Sequence, residues 1–237
     1  MHTVLSPCGD LEMSPRNIVR QAVLKNIDIL GITDHNSTYH TKLIYDLAKK
    51  EGIEVYFGCE VCTAEEVHCL AFFESNVLCQ SFQKFLDNHL SEVKNDPESF
   101  GYQVVVDVNE NIIKQIDSLL ISGLKASIGE VEKEVHRLSG VFIPAHIDRP
   151  YTSIISQLGF IPADLEIDAV EISKRTNIGD YTKKNGWVNK YTIVQNSDAH
   201  YPENLGDATT ALRMESTSFE EFRMALKKKD GREVIAQ

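Results

Sequence analysis

Histidine and acidic side chains recur at the ends of short apolar segments in this sequence. A single histidine in such a place is more often a structural residue than a ligand. Imidazole and carboxylate groups together, however, are ligands that suit Zn²⁺, Mn²⁺ and Fe²⁺. The repeated occurrence of both types predicts a metal site formed by these residues: His2, Asp34, His35, Glu60, His68, His146, Asp198 and His200.

The spacing within Asp198-Ala199-His200 supports this interpretation. Residues i and i+2 of an extended chain project to the same side, so this carboxylate and this imidazole can reach neighbouring ions. A set this rich in donors predicts two or three divalent transition metals. Metal ions that share a site can activate a hydroxide and stabilise both the attacking and the leaving oxygen of a phosphoryl transfer.

Apolar runs that alternate with helical patterns supply the elements that position these side chains. Helical segments begin at recognisable caps, such as Ser127 with Glu130 and Ser218 with Glu221. The alternation predicts an α/β fold with a parallel sheet or barrel, in which residues after the strands converge on one face. The predicted strands lie at 27–33, 54–59, 67–73, 141–145, 169–173, 191–195 and 233–235.

One segment interrupts this alternation. Residues 81–125 contain a helix-like stretch followed by two apolar runs, 103–107 and 112–116, around Asn109-Glu110-Asn111, which predicts a β-hairpin. We interpret residues 1–237 as a single domain with an insertion at about 81–125. This insertion is either a lid over the active end of the sheet or a packing feature without a functional role.

Composition limits the classes of partner and the cellular location. The chain has 237 residues and a formal net charge of −11, which disfavours binding to extended nucleic acid and leaves small phosphorylated substrates as the expected partners. The sequence has no apolar stretch long enough for a membrane span and no secretory pattern at its start, so we expect no membrane partner and a cytoplasmic protein.

The remaining cysteines and histidines have ordinary interpretations. The five cysteines have irregular spacing, which favours structural or incidental thiols in a reducing compartment. This holds also for the pair Cys59 and Cys62, because no second pair completes a zinc site. We expect solvated side chains at His40, His89 and His136, which lie in helical or polar segments.

The motifs together resemble those of the PHP (polymerase and histidinol phosphatase) family. The resemblance runs from residue 2 to about residue 206 and rests on the order of its motifs. It implies a distorted (β/α)7 TIM-like barrel with a trinuclear metal centre at the carboxyl ends of the strands. The motifs are His2-Thr3-Val4-Leu5-Ser6-Pro7, Thr33-Asp34-His35-Asn36, Gly58-Cys59-Glu60, Pro144-Ala145-His146 and Ser197-Asp198-Ala199-His200.

The resemblance also implies a role for each ligand. A first ion would be held by His2, Glu60 and Asp198, and a second by Glu60, His68 and His146. A third would be held by Asp10, His35 and His200, while Asp34 would orient an imidazole from the second ligand shell. Arg149, three residues after His146, is either a clamp for a substrate phosphate or an ion-pair residue.

The chain departs from the family at its first motif, which is His-x-His in the family. Met1 occupies the x position, so the first histidine and nearly all of the first strand are missing. We expect a truncated or miscalled start, and the alternative is a weakened first site.

The sequence therefore predicts a metal-dependent hydrolase of small-molecule phosphomonoesters that uses a metal-bound hydroxide. Two alternatives stay open. One is a nuclease or phosphodiesterase acting on short oligonucleotides. The other is a non-catalytic metal-binding or partner-binding module with a degenerate site.

Overall fold

The structure is a computed structural model that describes residues 1–235. Strands and helices alternate along most of the chain, as predicted. The helices are α1 Pro15–Leu24, α2 Thr41–Ala48, α3 Asn76–His89, α4 Pro97–Phe100, α5 Ile128–Arg137, α6 Ile154–Leu158, α7 Ile178–Lys184 and α8 Phe219–Leu226. The strands are β1 Ile29–Gly31, β2 Glu54–Cys62, β3 His68–Phe73, β4 Val104–Val106, β5 Ile112–Gln115, β6 Val141–Pro144, β7 Val170–Glu171, β8 Ile193–Val194, β9 Ala211–Arg213 and β10 Glu233–Ile235.

The principal sheet has four strands in the order β1-β2-β3-β6. Strands β1 and β2 are parallel, whereas β3 is antiparallel to both β2 and β6. The expectation of a purely parallel sheet was therefore wrong at β3. Only five residues connect β2 to β3, and so short a connection permits a hairpin but not the crossover that parallel strands need.

This reversal decides where His68 lies. Because β3 runs against its neighbours, its first residue lies at the same edge of the sheet as the last residues of β1, β2 and β6. In the β2–β3 register, Cys62 pairs with His68 and Glu60 with Leu70. Glu60 and His68 are therefore diagonal neighbours on one face of the sheet, although one ends a strand and the other begins one.

The two faces of the sheet pack against different partners. On the outer face, Phe57 and Phe142 join a buried cluster with side chains of α3 and α5. On the inner face, Tyr56, Phe72 and Ile143 pack with residues of β8 and α8. The alternation of inward and outward residues along β2 thus leaves Glu60 on the inner face, at the edge of an apolar wall.

The mixed α/β class is confirmed, but within residues 1–235 the strands do not close into a continuous hydrogen-bonded barrel. Beyond the four-stranded sheet, β7 pairs with β8, β9 with β10 and β4 with β5. Isolated main-chain bonds link the pieces into a ring. Strand β6 is linked to β7 by Asp168 N to Phe142 O, at 3.0 Å. Residues 1–2 connect the end of β1 to the segment after β8, through Thr33 N to Met1 O and His2 N to Ala199 O, both 2.9 Å.

The segment at 81–125 packs over the loop that follows His2. Strands β4 and β5 form the predicted antiparallel hairpin. Val105 and Leu120 bury Leu5, and the main-chain N–H of Val106 donates to His40 at 2.9 Å. The insertion is thus fastened to the site-bearing loop by an apolar cluster and a buried hydrogen bond. As for membranes, no helix in residues 1–235 is long and apolar enough to cross one.

Candidate metal centre

The carboxylate of Glu60 lies at the centre of a ring of imidazoles. One of its oxygens, Oε2, is 3.4 Å from His2 Nε2 and 3.3 Å from His35 Nδ1. The other, Oε1, is 3.4 Å from His68 Nδ1 and 3.3 Å from His146 Nε2. All five side chains are buried. Four separate segments therefore direct a ring nitrogen at one carboxylate on the strand β2.

Two of the site residues adopt an unusual backbone conformation. His146 has φ of 31° and Asp198 has φ of 46°, a region that non-glycine residues rarely occupy. Each such residue costs roughly 1–3 kcal/mol, and such conformations cluster at functional sites. Both residues follow strands, β6 and β8. The backbone is therefore strained at His146 and Asp198, the positions where it turns their side chains toward Glu60.

The electrostatics of the group are those of a site that favours positive charge. Burial opposes ionisation of Glu60, but His68 and His146 hold its pKa well below its usual range. Burial disfavours protonation of His68, yet Glu60 raises its pKa to about 10. Burial and the adjacent imidazoles lower the pKa of His35 well below its usual value and that of His200 to about 4. Without a metal, few of the imidazole rings in the cluster therefore carry an added proton.

Asp34 organises the segment that carries His2. Its Oδ1 accepts hydrogen bonds from Thr3 N at 2.6 Å and from Ser6 Oγ at 2.8 Å. Ser6 Oγ lies 3.1 Å from His2 Nδ1. Because the hydroxyl proton goes to Asp34, Ser6 Oγ accepts from the Nδ1–H of His2, and Nε2 of the same ring faces Glu60 and Asp198. Asp34 thus orients an imidazole through Ser6, in the manner of an outer-shell carboxylate.

His200 is oriented in a similar way by its own neighbourhood. Its Nδ1 lies 2.9 Å from the main-chain oxygen of Asp198 and donates to it, which leaves Nε2 as the lone-pair nitrogen. Asp198 also lies 3.2 Å from His2 through Oδ1. This hydrogen bond, acting against burial, holds the pKa of Asp198 below its usual range.

The donor set fits divalent transition metals. Within the described chain, His35 Nδ1 and His146 Nδ1 are buried nitrogens without a hydrogen-bond partner, which is costly unless another ligand satisfies them. Around Glu60 and His2, three groups place their ligand atoms within 4.8 Å of one another. They are His2, Glu60 and Asp198; His35, Glu60 and His68; and His2, Cys8, His35 and His200.

Cys8, and not Asp10, lies with the histidines of the cluster. Among residues 1–235, Asp10 belongs to none of these groups, and its Oδ1 accepts from Glu12 N at 2.7 Å. Cys8, interpreted from sequence as an incidental thiol, lies instead with His2, His35 and His200. Burial and then Glu60 raise the pKa of the Cys8 thiol to about 12. The only sequence signal was its position two residues before Asp10.

Arg149 and Glu171 lie at the border of the cluster. Arg149 Nη2 donates to Asp198 Oδ2 at 2.7 Å, so the ion-pair alternative is present in this structure. Glu171 is buried and accepts from Asn196 Nδ2 at 3.1 Å. Burial raises the pKa of Glu171 to about 7. A cavity of about 650 Å³ beside β1 reaches this border, lined by Gly31, Tyr56 and Phe72 and at its polar end by Glu60, Glu171 and Asp198.

The prediction that His40 is solvated was wrong. His40 is fully buried, with Nδ1 2.7 Å from Thr3 Oγ1 and Nε2 accepting from Val106 N. Thr3 Oγ1 donates to Asp34 Oδ2, so His40 must donate to Thr3 and is neutral, and burial lowers its pKa. The partners lie 37 and 66 residues away in sequence, so the local pattern carried no signal of this contact.

Comparison with known sequences identifies the family. The profile of the PHP domain matches residues 1–154, and that of a PHP-associated region matches residues 189–230. The chain therefore belongs to the PHP domain family.

Two relatives illustrate how far the sequence match extends. The uncharacterized protein YqxK of Bacillus subtilis is 35% identical over 113 residues, which cover 45% of this chain and 28% of YqxK. The uncharacterized protein MJ1587 of Methanocaldococcus jannaschii is 26% identical over 158 residues, covering 67% of this chain and 64% of MJ1587. The matches thus span less than two thirds of either relative.

Solved structures share the fold at lower identity. The lesion-specific endonuclease Q of Pyrococcus furiosus matches with a TM-score of 0.72 and 20% identity, over 99% of this chain and 56% of the endonuclease. A proposed metal-dependent phosphoesterase from Bifidobacterium adolescentis matches with a TM-score of 0.59 and 18% identity, over 96% of this chain and 94% of that protein. At these identities the likeness is one of fold.

Proposed function

We propose that this chain is a metal-dependent hydrolase of phosphomonoesters of small molecules. The observation that carries the proposal is the Glu60 carboxylate, which is approached by four buried imidazole nitrogens at 3.3–3.4 Å. A carboxylate with two oxygens, each facing two imidazoles, has the form of a ligand shared between ions. The family and the likeness in fold to a proposed metal-dependent phosphoesterase support the same chemistry.

The residues of the chain then take distinct roles. When bound, the metals would supply Lewis-acid polarisation of the phosphate and would acidify a water molecule. Glu60 would bridge two ions, and Asp198, with Oδ1 facing His2, would bind on the side nearer that imidazole. Asp34 would fix His2 through Ser6 and so keep Nε2 available. No covalent protein nucleophile is required by this arrangement.

Arg149 is placed to bind the substrate phosphate. A guanidinium has five N–H donors, so one bond to Asp198 leaves capacity for phosphate oxygens. Its planar fork matches the geometry of two such oxygens. The ion pair with Asp198 would hold the guanidinium at the edge of the metal cluster before substrate arrives. The ion-pair and clamp interpretations are thereby compatible.

The cavity supports a small organic substituent on the phosphate. Its volume of about 650 Å³ falls within the roughly 300–1,000 Å³ of small-molecule sites. Its lining combines apolar side chains, such as Tyr56 and Phe72, with polar ones that include Glu60, so a phosphate at Glu60 would leave room for a substituent beside these aromatic rings. The net charge of −11 also favours small substrates over long polyanions.

A substrate panel with a metal assay tests the proposal. The purified chain, loaded with Zn²⁺ or Mn²⁺, would be offered a nucleoside monophosphate, a dinucleotide and a short 5′-phosphorylated oligonucleotide, with released phosphate and cleaved products measured separately. We expect release of phosphate from the monoester and loss of that release in Glu60→Gln. Turnover that is unchanged in Glu60→Gln would contradict the mechanism. Metal binding without turnover of any substrate would favour a non-catalytic module.

A second candidate function is hydrolysis of short oligonucleotides. Two exposed aromatic residues stand next to site residues in sequence: Tyr151, which is 77% exposed, follows Arg149 by two positions, and Tyr201, 48% exposed, follows His200 directly. Exposed aromatic rings are typical stacking platforms for single-stranded bases. The likeness in fold to endonuclease Q is compatible with this candidate. The test is internal cleavage of the oligonucleotide by wild type and by Tyr151→Ala and Tyr201→Ala. Cleavage that is weaker in the two variants would favour the nuclease function over the phosphatase function.

A further inference from the structure

The loop between Ser6 and Asp10 brings a thiol to the imidazole cluster. Cys8 offers its Sγ to a group in which His2, His35 and His200 each offer one nitrogen, with all four atoms within 4.8 Å of one another. The three rings are close, since the centroid of His2 is 4.5 Å from that of His35 and 4.2 Å from that of His200. Cys8 itself is partly exposed. The thiol thus completes a set of four potential ligands.

We propose that Cys8 supplies a thiolate ligand to the metal ion held by His35 and His200. This inference rests on the metal centre proposed above and adds a sulfur donor to it. It assigns to Cys8 the place that the family resemblance gave to Asp10. On binding, the sulfur–metal bond would form and the thiol proton would pass to solvent.

The backbone holds Cys8 in place and turns Asp10 away. Gly9 N donates to Ser6 O and Asp10 N donates to His200 O, both at 2.9 Å, so the loop is tied directly to a site histidine. A Cβ at Gly9 would lie 2.4 Å from the oxygen of Thr3, so only glycine fits between Cys8 and Asp10. The carboxylate of Asp10 is already engaged by Glu12 N.

A separate observation concerns His35, which carries a buried nitrogen without a hydrogen-bond partner. His35 is 3% exposed, and its Nδ1 makes no hydrogen bond to any residue of the described chain although it lies 3.3 Å from a Glu60 oxygen. A buried polar nitrogen left unsatisfied costs roughly 1–3 kcal/mol. Three clustered imidazoles, one of which has an unpartnered nitrogen, and a thiol within 4.8 Å of their ligand atoms suit a cation with soft character.

The sulfur donor would determine which metal this position selects. Mixed imidazole and carboxylate ligands accept Zn²⁺, Mn²⁺ and Fe²⁺ alike, whereas a thiolate favours zinc and iron over Mn²⁺ and Mg²⁺. The centre would therefore be chemically divided. Its Glu60 side would be rich in oxygen and nitrogen, and its Cys8 side would combine nitrogen and sulfur.

X-ray absorption at the zinc edge tests this assignment without reference to activity. The full chain would be loaded with Zn²⁺, and the bond lengths around zinc measured in wild type, Cys8→Ser and Cys8→Asp. We expect a Zn–S distance of about 2.3 Å in wild type. Both variants should show only the shorter Zn–N and Zn–O distances. Serine should also weaken zinc binding by at least the roughly 10–100-fold that the loss of an outer-shell partner costs, and aspartate should restore part of the affinity.

Two other cysteines serve as controls. Cys62 lies close enough to His68 to influence its pKa and is the rival source of sulfur, whereas Cys79 is buried against Thr41. The Zn–S signal should persist in Cys62→Ser and in Cys79→Ser. A wild type that binds zinc without sulfur, or a sulfur signal that survives in Cys8→Ser, would overturn the assignment while leaving the proposed function intact. A chain that binds none of Zn²⁺, Mn²⁺ and Fe²⁺ would overturn both.

Discussion

Two parts of the molecule combine histidine with carboxylates, and they do so in opposite ways. At the Glu60 cluster, one carboxylate faces four imidazoles. At the other place, which we name the His136 bridge, one imidazole lies between two carboxylates. His136 Nδ1 is 2.6 Å from Glu132 Oε1, and His136 Nε2 is 3.1 Å from Asp168 Oδ2. Both places include residues at the spacing of a metal site, which at the second place are Glu132, His136 and Glu166.

The difference lies in whether the ring nitrogens have partners. Both nitrogens of His136 have carboxylate partners, and Phe142 N donates a hydrogen bond to Asp168 Oδ2 at 2.9 Å. The polar groups of the His136 bridge are therefore paired without a metal. The Glu60 cluster leaves His35 and His146 with buried, unpartnered nitrogens within the described residues. Four imidazoles around the single carboxylate of Glu60 require a cation to bind their nitrogens. His136, in contrast, lies between two carboxylates and is itself the cation there. Donor count alone therefore does not identify a metal site.

The largest effect we predict is the loss of catalysis in Glu60→Gln. The amide keeps the shape of the side chain but loses the charge that two ions would share. Phosphomonoester turnover should fall by more than about 100-fold, beyond the usual cost of losing an outer-shell partner. Steady-state release of phosphate measures this, with Glu132→Gln at the His136 bridge as the matched control. Equal losses in both variants would remove the distinction between the two places.

A smaller loss is expected in Asp34→Asn. Asparagine cannot accept charge-assisted bonds from Thr3 and Ser6, so the orientation of His2 should loosen. Metal affinity should fall about 10–100-fold, the range typical of outer-shell carboxylates. Competition with a chromogenic chelator measures the affinity. An unchanged affinity in a folded Asp34→Asn variant would show that Ser6 alone fixes His2.

Metal removal should destabilise the protein through the Glu60 cluster alone. A ligand at 100 times its dissociation constant adds about 2.7 kcal/mol of stability. For a chain of 237 residues this corresponds to a rise in Tm of roughly 5–10 °C. Thermal scans of the stripped chain with and without Zn²⁺ would show it. The shift should survive in His136→Gln and shrink in Glu60→Gln, and the reverse pattern would place the ion at the His136 bridge.

The smallest effect is a dependence of stability on pH at the His136 bridge. The hydrogen bond to Asp168, reinforced by Glu132, raises the pKa of His136 above its ordinary value of 6.5. Folding therefore favours the protonated ring, so its contribution is fully present below pH 6.5 and is lost as pH rises through the raised value. Because the ring is partly exposed, this contribution should stay below about 1 kcal/mol.

Urea unfolding of wild type and His136→Gln measures that contribution. The difference in unfolding free energy should be largest below pH 6.5 and should shrink in alkaline buffer. Comparing the two proteins at each pH cancels the titration of the Glu60 cluster, which both share. A difference that does not change with pH would mean that His136 stabilises the fold by packing and not by charge.

The site residues that lie at or near the ends of strands were the ones that the sequence could predict. Apolar runs located β2 and β6 well, and Glu60, His146 and Asp198 lie together because strand ends converge. His68 lies beside Glu60 for a different reason, since it begins an antiparallel strand. The hairpin that reverses β3 depends on a five-residue connection, and length alone would have indicated it.

Loop and long-range contacts were beyond the reach of sequence patterns. The approach of Cys8 to the cluster depends on backbone bonds from the loop to Ser6 and His200, and irregular loops carry no periodicity. His40 is buried by Thr3 and Val106, which are distant in sequence. Barrel closure was likewise expected from the family, whereas isolated main-chain bonds connect the pieces in the structure.

The metal content of three purified proteins tests the central claim most directly. Elemental mass spectrometry would give the number of Zn, Mn and Fe ions per chain in wild type, Glu60→Gln and His136→Gln. We predict two or three ions in wild type, the same number in His136→Gln, and a loss of at least one ion in Glu60→Gln. Wild-type metal content in Glu60→Gln, or a loss confined to His136→Gln, would contradict it.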